Sequence, residues 1–198
     1  MIIQSIDLIS RVKSAAYEIT SFNDYCVKCT YFNYVHCYLN NKCFSENPGF
    51  CLQIRSNINE CPTTVDTPIS IPIKDKNVGE NNFAQRTDWV SPDTYVMYIF
   101  QNQVTGGLPG RVRLSYKGTN LKFYKAPSLA QTSNTFLSRV GYNDEITINT
   151  GTSLYLMAVN TEPVRESFYL EYQFAKYFKS QAVMSITLTI IAAYFLII

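Results

Sequence analysis

Six cysteines are the residues of this sequence whose type and spacing could do chemistry. They are Cys26, Cys29, Cys37, Cys43, Cys51 and Cys61, and none occurs elsewhere among the 198 residues. Cysteines grouped in this way can bind a metal ion, supply a catalytic nucleophile or form disulfides. The choice decides the compartment, because disulfides persist only where the environment is oxidising.

The spacing of the cysteines argues against the first two kinds of chemistry. Cys26 and Cys29 form half of a common zinc site, but no second pair repeats their spacing. His36 is the only histidine that could activate a catalytic cysteine. It is adjacent to Cys37, and on a strand two adjacent side chains point to opposite faces. An even number of cysteines in a segment too short to bury a core without crosslinks favours three disulfides. Spacing alone does not choose among the possible pairings.

The remaining candidates for catalysis are weak. Four acidic residues beside turn residues could act as an acid–base pair or bind calcium, although acids at turns are usually solvated: Asp88, Asp93, Asp144 and Glu145. The segment TGGLPG lacks the Lys-Ser/Thr pair that completes a nucleotide-binding loop. We therefore expect no enzyme activity, no small-molecule substrate, no cofactor and no metal ion.

Residues 63–178 must supply the scaffold, and their pattern is that of an antiparallel β-sandwich. Short strands alternate with Gly and Asn turns, which is typical of sandwiches. Ile69, Ile71 and Ile73 share a face of a predicted edge strand, since Pro68 and Pro72 cannot donate to a central ladder. DTYVMYIF is apolar on both faces and is predicted to be central. In the last strand we expect four side chains to point inward: Phe168, Leu170, Tyr172 and Phe174.

Two segments have the pattern of β-hairpins, GRVRLSYKGTNLKFYK and DEITINTGTSLYLMAVN. In the first, strand parity puts four cations opposite the apolar face, beside Tyr124: Arg111, Arg113, Lys117 and Lys122. Like charges on adjacent strands repel unless an anion lies across them, so this basic patch is a candidate site for an acidic partner or lipid. The alternative is a solvated outer face. The net charge of +2 is too small for a nucleic-acid-binding protein.

The two ends of the sequence differ from its middle. The uncharged run QAVMSITLTIIAAYFLII predicts a transmembrane helix over residues 180–198. A buried terminal element and a glycolipid-anchor signal compete with it, but the polar spacer of such a signal is missing. Residues 1–22 have helical spacing of apolar residues and lack an uncharged core typical of a secretory signal. We predict an N-terminal helix there.

The segment CVKCTYFNYVHCYLNNKCFSENPGFC resembles the plexin–semaphorin–integrin cysteine-rich domain. His36 replaces the Trp that usually precedes the central cysteine, and two family cysteines that pair with each other are absent. Carried over to this sequence, the resemblance implies the pairs Cys26–Cys61, Cys29–Cys43 and Cys37–Cys51. It also implies that residues 23–62 form a rigid spacer without chemistry of its own. More weakly, residues 63–178 resemble carbohydrate-binding-like and pre-peptidase sandwiches.

These observations predict a mainly β, non-enzymatic interaction or structural protein held in the lipid bilayer by its tail. Its module and sandwich are expected in an oxidising compartment, with proteins as partners and no nucleic acid. The alternative is an accessory subunit of a larger membrane complex, for example facing the mitochondrial intermembrane space. Lys176 and Lys179 favour the opposite orientation, with the domain in the cytosol, but six clustered cysteines weigh against it.

Overall fold

The structure is a computed structural model and describes residues 15–76, 83–104, 107–114, 120–130, 133–173 and 175–176. Over these residues the chain is mainly β. A small disulfide-bonded module comes first, and two facing sheets follow it.

The cysteine module is built around one short helix. Its elements are a 3-10 turn at Thr20–Phe22, helix α1 at Cys26–Tyr31, strands β1 at Val35–Cys37, β2 at Lys42–Phe44 and β3 at Ile54–Arg55, and a 3-10 turn at Ile58–Glu60. The three strands form an antiparallel sheet in the order β2-β1-β3. A helix of six residues is too short to be stable alone. Its position therefore depends on crosslinks and packing.

The predicted N-terminal helix is wrong over residues 15–19, and Thr20–Phe22 forms only a single 3-10 turn. Ile19 N–H donates to the carbonyl of Cys43 at 2.7 Å, and Ser45 N–H donates to the carbonyl of Tyr17 at 2.9 Å. Glu18 forms a β-bridge with Phe44, so this stretch extends the small sheet past β2. Pairing with an exposed strand edge outweighs the helical spacing here. Residues 1–14 of the predicted helix lie outside the described residues.

The rest of the described chain forms the sandwich. Its strands are β4 at Ile69–Ile73, β5 at Asp75–Lys76, β6 at Phe83–Val90, β7 at Tyr95–Asn102, β8 at Gly110–Leu114, β9 at Lys122–Ala126, β10 at Ser138–Val140, β11 at Glu145–Ile148, β12 at Ser153–Val159, β13 at Glu166–Gln173 and β14 at Ala175–Lys176, with a 3-10 turn at Asn134–Phe136. One sheet has the order β10-β9-β12-β7-β4 and the other β11-β8-β13-β6. Strands β5 and β14 form a separate parallel pair.

Aromatic side chains from both sheets form the core between them. Phe123 of the five-stranded sheet meets Phe168 of the four-stranded sheet edge-on, with ring centroids 5.1 Å apart. Tyr98 contacts Phe168 in the same geometry at 6.0 Å. Phe168 and Leu170 are buried and Tyr172 packs against the core, as the alternation of the last strand predicts. Phe174 lies outside the described residues.

The prediction of a purely antiparallel sandwich is wrong for one strand. Strand β4 is an edge strand, as Pro72 predicts, but it pairs with β7 in parallel. Ile71 and Ile73 are buried and Ile69 packs against the core. A parallel partner is possible because the chain between β4 and β7 leaves the sheet and forms β6 in the facing one.

Both predicted hairpins are wrong. Strand β8 pairs with β11 and β13, whereas β9 pairs with β10 and β12 in the facing sheet. In the same way β11 and β12 lie in different sheets, joined across the sandwich by a turn in which Gly151 has a φ of +73°. In each segment the two strands lie in facing sheets instead of pairing with each other. Its inward residues remain inward, so the apolar alternation is the same in both arrangements.

Within the part of the chain that the structure describes, no helix has the length and apolar character needed to cross a bilayer. The predicted transmembrane helix, residues 180–198, lies outside that part.

Candidate functional site

All six cysteines are oxidised in three disulfides. The pairs are Cys26–Cys61, Cys29–Cys43 and Cys37–Cys51, with Cα atoms 5.7 to 5.8 Å apart. These are the pairs that the plexin–semaphorin–integrin resemblance implies. No cysteine is free, so none is available as a nucleophile or as a thiolate ligand of zinc. The three disulfides indicate an oxidising compartment, such as that of secreted or periplasmic proteins.

The module docks on the outer face of the five-stranded sheet. Val27 of α1 and Ile58 are buried in one cluster with Met157 of β12. The same cluster contains Val159, Tyr95 and Met97. One face of β7 therefore packs against the module. The other face, with Val96, Tyr98 and Phe100, packs in the core of the sandwich. This explains why the strand is apolar on both faces.

Hydrogen bonds from the sandwich surround the docked module. Asn134 donates from its amide to the carbonyl of Thr30 at 2.8 Å and accepts from Ile58 N–H at 3.1 Å. Its own backbone N–H donates to the side chain of Asn57 at 3.2 Å. On the other side, the Tyr95 hydroxyl donates to the carbonyl of Asn59 at 3.0 Å. These contacts fix the orientation of the module as well as its position.

Asp93 joins the two parts of the protein at the start of α1. It lies in the turn before β7, and its carboxylate accepts from Val27 N–H at 3.2 Å and from Lys28 N–H at 2.9 Å. Burial raises the pKa of Asp93 from an ordinary 3.8 to about 6, and the hydrogen bonds to the backbone of α1 only partly offset this effect. The sequence marked Asp93 as a possible acid or calcium ligand, whereas in the structure it caps a helix.

We predict that Asp93→Asn removes a pH-dependent part of the stability. The protonated acid is favoured in the folded state, so the contribution of Asp93 is largest below about pH 4 and is lost as pH rises through about 6. At about 1.4 kcal/mol per pKa unit, this amounts to at most about 3 kcal/mol. Denaturant unfolding at pH 4, 5, 6 and 7 measures the stability difference between the two proteins. A difference that is constant over this range would contradict the assignment.

His36 is buried at the centre of the small sheet, with 2% of its surface exposed. Neither ring nitrogen has a hydrogen-bond partner among the described residues. Burial lowers the pKa of His36, and the positive charge of Arg55 lowers it further, while Asp24 acts in the opposite direction. A neutral imidazole without a partner is a packing residue here, and it destabilises the fold as pH falls below 6.5.

The four acidic candidates do not converge. Asp88 accepts from Arg86 at 2.7 Å and from the Tyr98 hydroxyl at 2.8 Å. Asp144 accepts from Gly141 N–H within a turn. Over the described ranges, no three His, Cys, Asp or Glu side chains form a group that could hold a metal ion. These carboxylates and Asp93 are occupied by structural hydrogen bonds.

The predicted basic patch is divided between the two sheets. Arg111 and Arg113 are exposed on β8 of the four-stranded sheet, whereas Lys122 is on β9 of the other. Lys117 lies outside the described residues. The premise of one basic face on adjacent strands is therefore wrong, because β8 and β9 lie in facing sheets.

The surroundings of the two arginines are also balanced in charge. Arg111 forms an ion pair with Glu145 at 2.9 Å, and Arg113 lies between Glu145 and Glu171 in the sheet register. These four side chains line a shallow cleft of about 230 Å³ with Phe83, Tyr172 and Gln173. Two cations beside two carboxylates give this cleft no net attraction for an anion.

No known protein family matches the sequence, and no curated protein matches it. Similar solved structures include PliG, a periplasmic inhibitor of g-type lysozyme, from Salmonella Typhimurium (16% identity, TM-score 0.34, 50% of this chain and 96% of that one). PliG from Aeromonas hydrophila has 10% identity and a TM-score of 0.35, over 54% of this chain and 98% of that one. The pre-peptidase C-terminal domain of a Bacillus anthracis collagenase has 11% identity and a TM-score of 0.34, over 56% and 98%. TM-scores this low establish neither a family nor a function.

Proposed function

We propose that this chain is a non-enzymatic interaction protein, anchored in a membrane by residues 180–198, with its module and sandwich outside the cytosol. The observation that carries the proposal is the complete pairing of six cysteines in a module docked on the sandwich. A short module of this kind needs an oxidising compartment to form, and its docking makes it a rigid projection. The resemblance to plexin–semaphorin–integrin spacers agrees with such a role.

The side chains that could have supported catalysis are engaged in other ways. The thiols are oxidised, His36 is enclosed, and the acidic candidates bind arginines, a tyrosine hydroxyl or backbone N–H groups. Catalysis by acid and base needs such groups within reach of a common reacting atom. This arrangement favours binding over chemistry.

A cell fractionation experiment tests the proposal. We expect the full chain in the membrane fraction, and the chain ending at Lys179 in the soluble fraction. Protease added to intact cells should digest the module and sandwich of the full chain. Protection in intact cells with digestion in mitochondria lacking their outer membrane would instead support the alternative, an accessory subunit facing the intermembrane space. Release of the full chain by a phospholipase that cuts glycolipid anchors would contradict the transmembrane helix.

A further inference from the structure

An open pocket of about 240 Å³ lies at the seam between the cysteine module and the sandwich. Tyr95 and Met97, on the outer face of β7, line it. Met97 keeps 7% of its surface exposed, whereas Met157, which is opposite Met97 in the sheet register, is fully buried. The docked module therefore covers Met157 completely and leaves the cover over Met97 incomplete.

Three segments of the chain enclose the pocket. Asn59 belongs to the module, and Val65 and Asp66 belong to the linker between the module and β4. Leu129 lies in the chain between β9 and β10. Module, linker and sandwich all contribute to the lining, so the pocket exists only while the module is docked.

Hydrogen bonds hold the walls of the pocket in place. The Tyr95 hydroxyl donates to the carbonyl of Asn59 at 3.0 Å, which ties the module to the sheet. Thr64 N–H donates to the carbonyl of Tyr95 at 2.9 Å, and the Thr64 hydroxyl accepts from Ser91 N–H at 2.9 Å, which ties the linker to the sandwich. A pocket formed in advance loses little conformational entropy when a ligand binds.

The charge of the lining selects the kind of ligand. Asp66 is the only charged residue that lines the pocket, and it makes no hydrogen bond or ion pair with another residue in the described ranges. An anion would be repelled by this carboxylate. A calcium ion needs six to eight oxygen ligands, and no three His, Cys, Asp or Glu side chains of the described chain form a metal-binding group. The pocket therefore suits an organic cation.

The size and the walls of the pocket favour one arginine side chain. Pockets that hold a whole small molecule have roughly 300–1,000 Å³, which is more than this one offers. Val65, Leu129 and Met97 are apolar and suit the methylene stem of a long basic side chain. A guanidinium stacks on an aromatic ring, such as that of Tyr95, and pairs with a carboxylate through two hydrogen bonds. The ammonium of lysine is more strongly hydrated and loses more on leaving water.

We propose that this pocket receives an arginine side chain of a partner protein, with its guanidinium paired to Asp66 and its stem against Val65 and Leu129. Arginine is among the residues that most often anchor protein–protein interfaces. Because the bound side chain contacts module, linker and sheet together, the partner recognises only the docked form of the module. The proposal deepens the proposed function and rests on it for the class of partner.

Methyl NMR of the full chain in detergent micelles, with isotope-labelled methionine methyl groups, tests the proposal. The probe is a tripeptide with arginine between two glycines, blocked at both ends. A matched probe carries citrulline, which has the shape of arginine without its charge, and a third carries lysine. We expect the arginine probe to shift the Met97 methyl signal saturably. The citrulline probe should bind at least tenfold more weakly, and the lysine probe more weakly than arginine.

Two variants of the chain separate the pocket from the rest of the surface. Asp66→Asn should lower the affinity for the arginine probe at least tenfold. Asp66 is exposed and unpaired among the described residues, so this substitution should preserve the fold, which an unchanged Met157 methyl signal verifies. Glu46→Gln removes a carboxylate of the module that does not line the pocket, and it should leave the affinity unchanged.

An absent Met97 shift, equal affinity for the citrulline or lysine probe, or an Asp66→Asn chain that binds as the parent does would overturn the proposal. So would a Met97 signal that moves without any probe in the Arg11→Gln/Lys13→Gln chain, because residues 1–14 would then fill the pocket. Fractionation and protease digestion of cells that make the Asp66→Asn chain should give the same result as for the parent. Failure of the pocket and failure of the proposed function can therefore be distinguished.

Discussion

Replacing Cys26 and Cys61 together with alanine should lower the free energy of unfolding by about 4 kcal/mol. This disulfide closes a loop of 35 residues, whereas each of the other two closes a loop of 14. A crosslink restricts the unfolded chain more when its loop is longer, and the shorter loops correspond to about 3 kcal/mol each. The pair also links α1 to the turn that contains Ile58, and both pack on the sandwich.

The matched controls are the alanine pairs at Cys29 and Cys43 and at Cys37 and Cys51. Urea unfolding of the chain ending at Lys179 gives the three free energies under one set of conditions. Because each variant has the same two substitutions, their ranking tests the effect of loop length and docking. A smaller loss for the Cys26–Cys61 variant than for the other two would show that this disulfide is not the main constraint on the module.

Met157→Ala should lower the free energy of unfolding by about 3 kcal/mol, although Met157 lies outside the core of the sandwich. Its side chain is fully buried on the outer face of β12, in the cluster that contains Val27 and Ile58 of the module. Removing it leaves a cavity between the two parts of the protein. Met157→Leu is the matched control, since it conserves volume and should cost less than about 1.5 kcal/mol.

The cysteine module was the part of the fold best predicted from the sequence. The number and confinement of the cysteines predicted the disulfides, and the family resemblance implied their pairing. Strand parity also placed Ile71, Ile73, Phe168 and Leu170 inward, as the structure has them. These predictions depend only on local spacing, which the folded chain preserves.

The pairing of strands could not be predicted in the same way. An alternating segment that folds back on itself and one that crosses to the facing sheet bury the same residues, so the sequence of β8 and β9 fits both. The predicted basic patch assumed that β8 and β9 pair as a hairpin, so it was wrong for the same reason. Strand β6 could not be predicted from alternating apolar residues. Its residue Asp88 accepts hydrogen bonds from Arg86 and from the Tyr98 hydroxyl at the edge of the core. Inward charges of this kind protect an edge strand from pairing with other chains.

The candidate site was also only partly predictable. Asp93 looked like one acid among several, because nothing local indicates that it meets a helix 65 residues earlier in the chain.

Because the cysteine module and the sandwich share a buried cluster and hydrogen bonds, we expect them to unfold as one cooperative unit, and coincident unfolding tests this most directly. Trp89, the single tryptophan, lies on β6 and reports on the sandwich. Hydrogen exchange at the backbone N–H groups of α1 and β1 reports on the module. We predict one denaturant transition by both measurements, which Met157→Ala shifts equally while Met157→Leu shifts little. Exchange in the module at a lower denaturant concentration than the Trp89 transition, or a Met157→Ala shift in only one of the two measurements, would show that the module and the sandwich unfold separately.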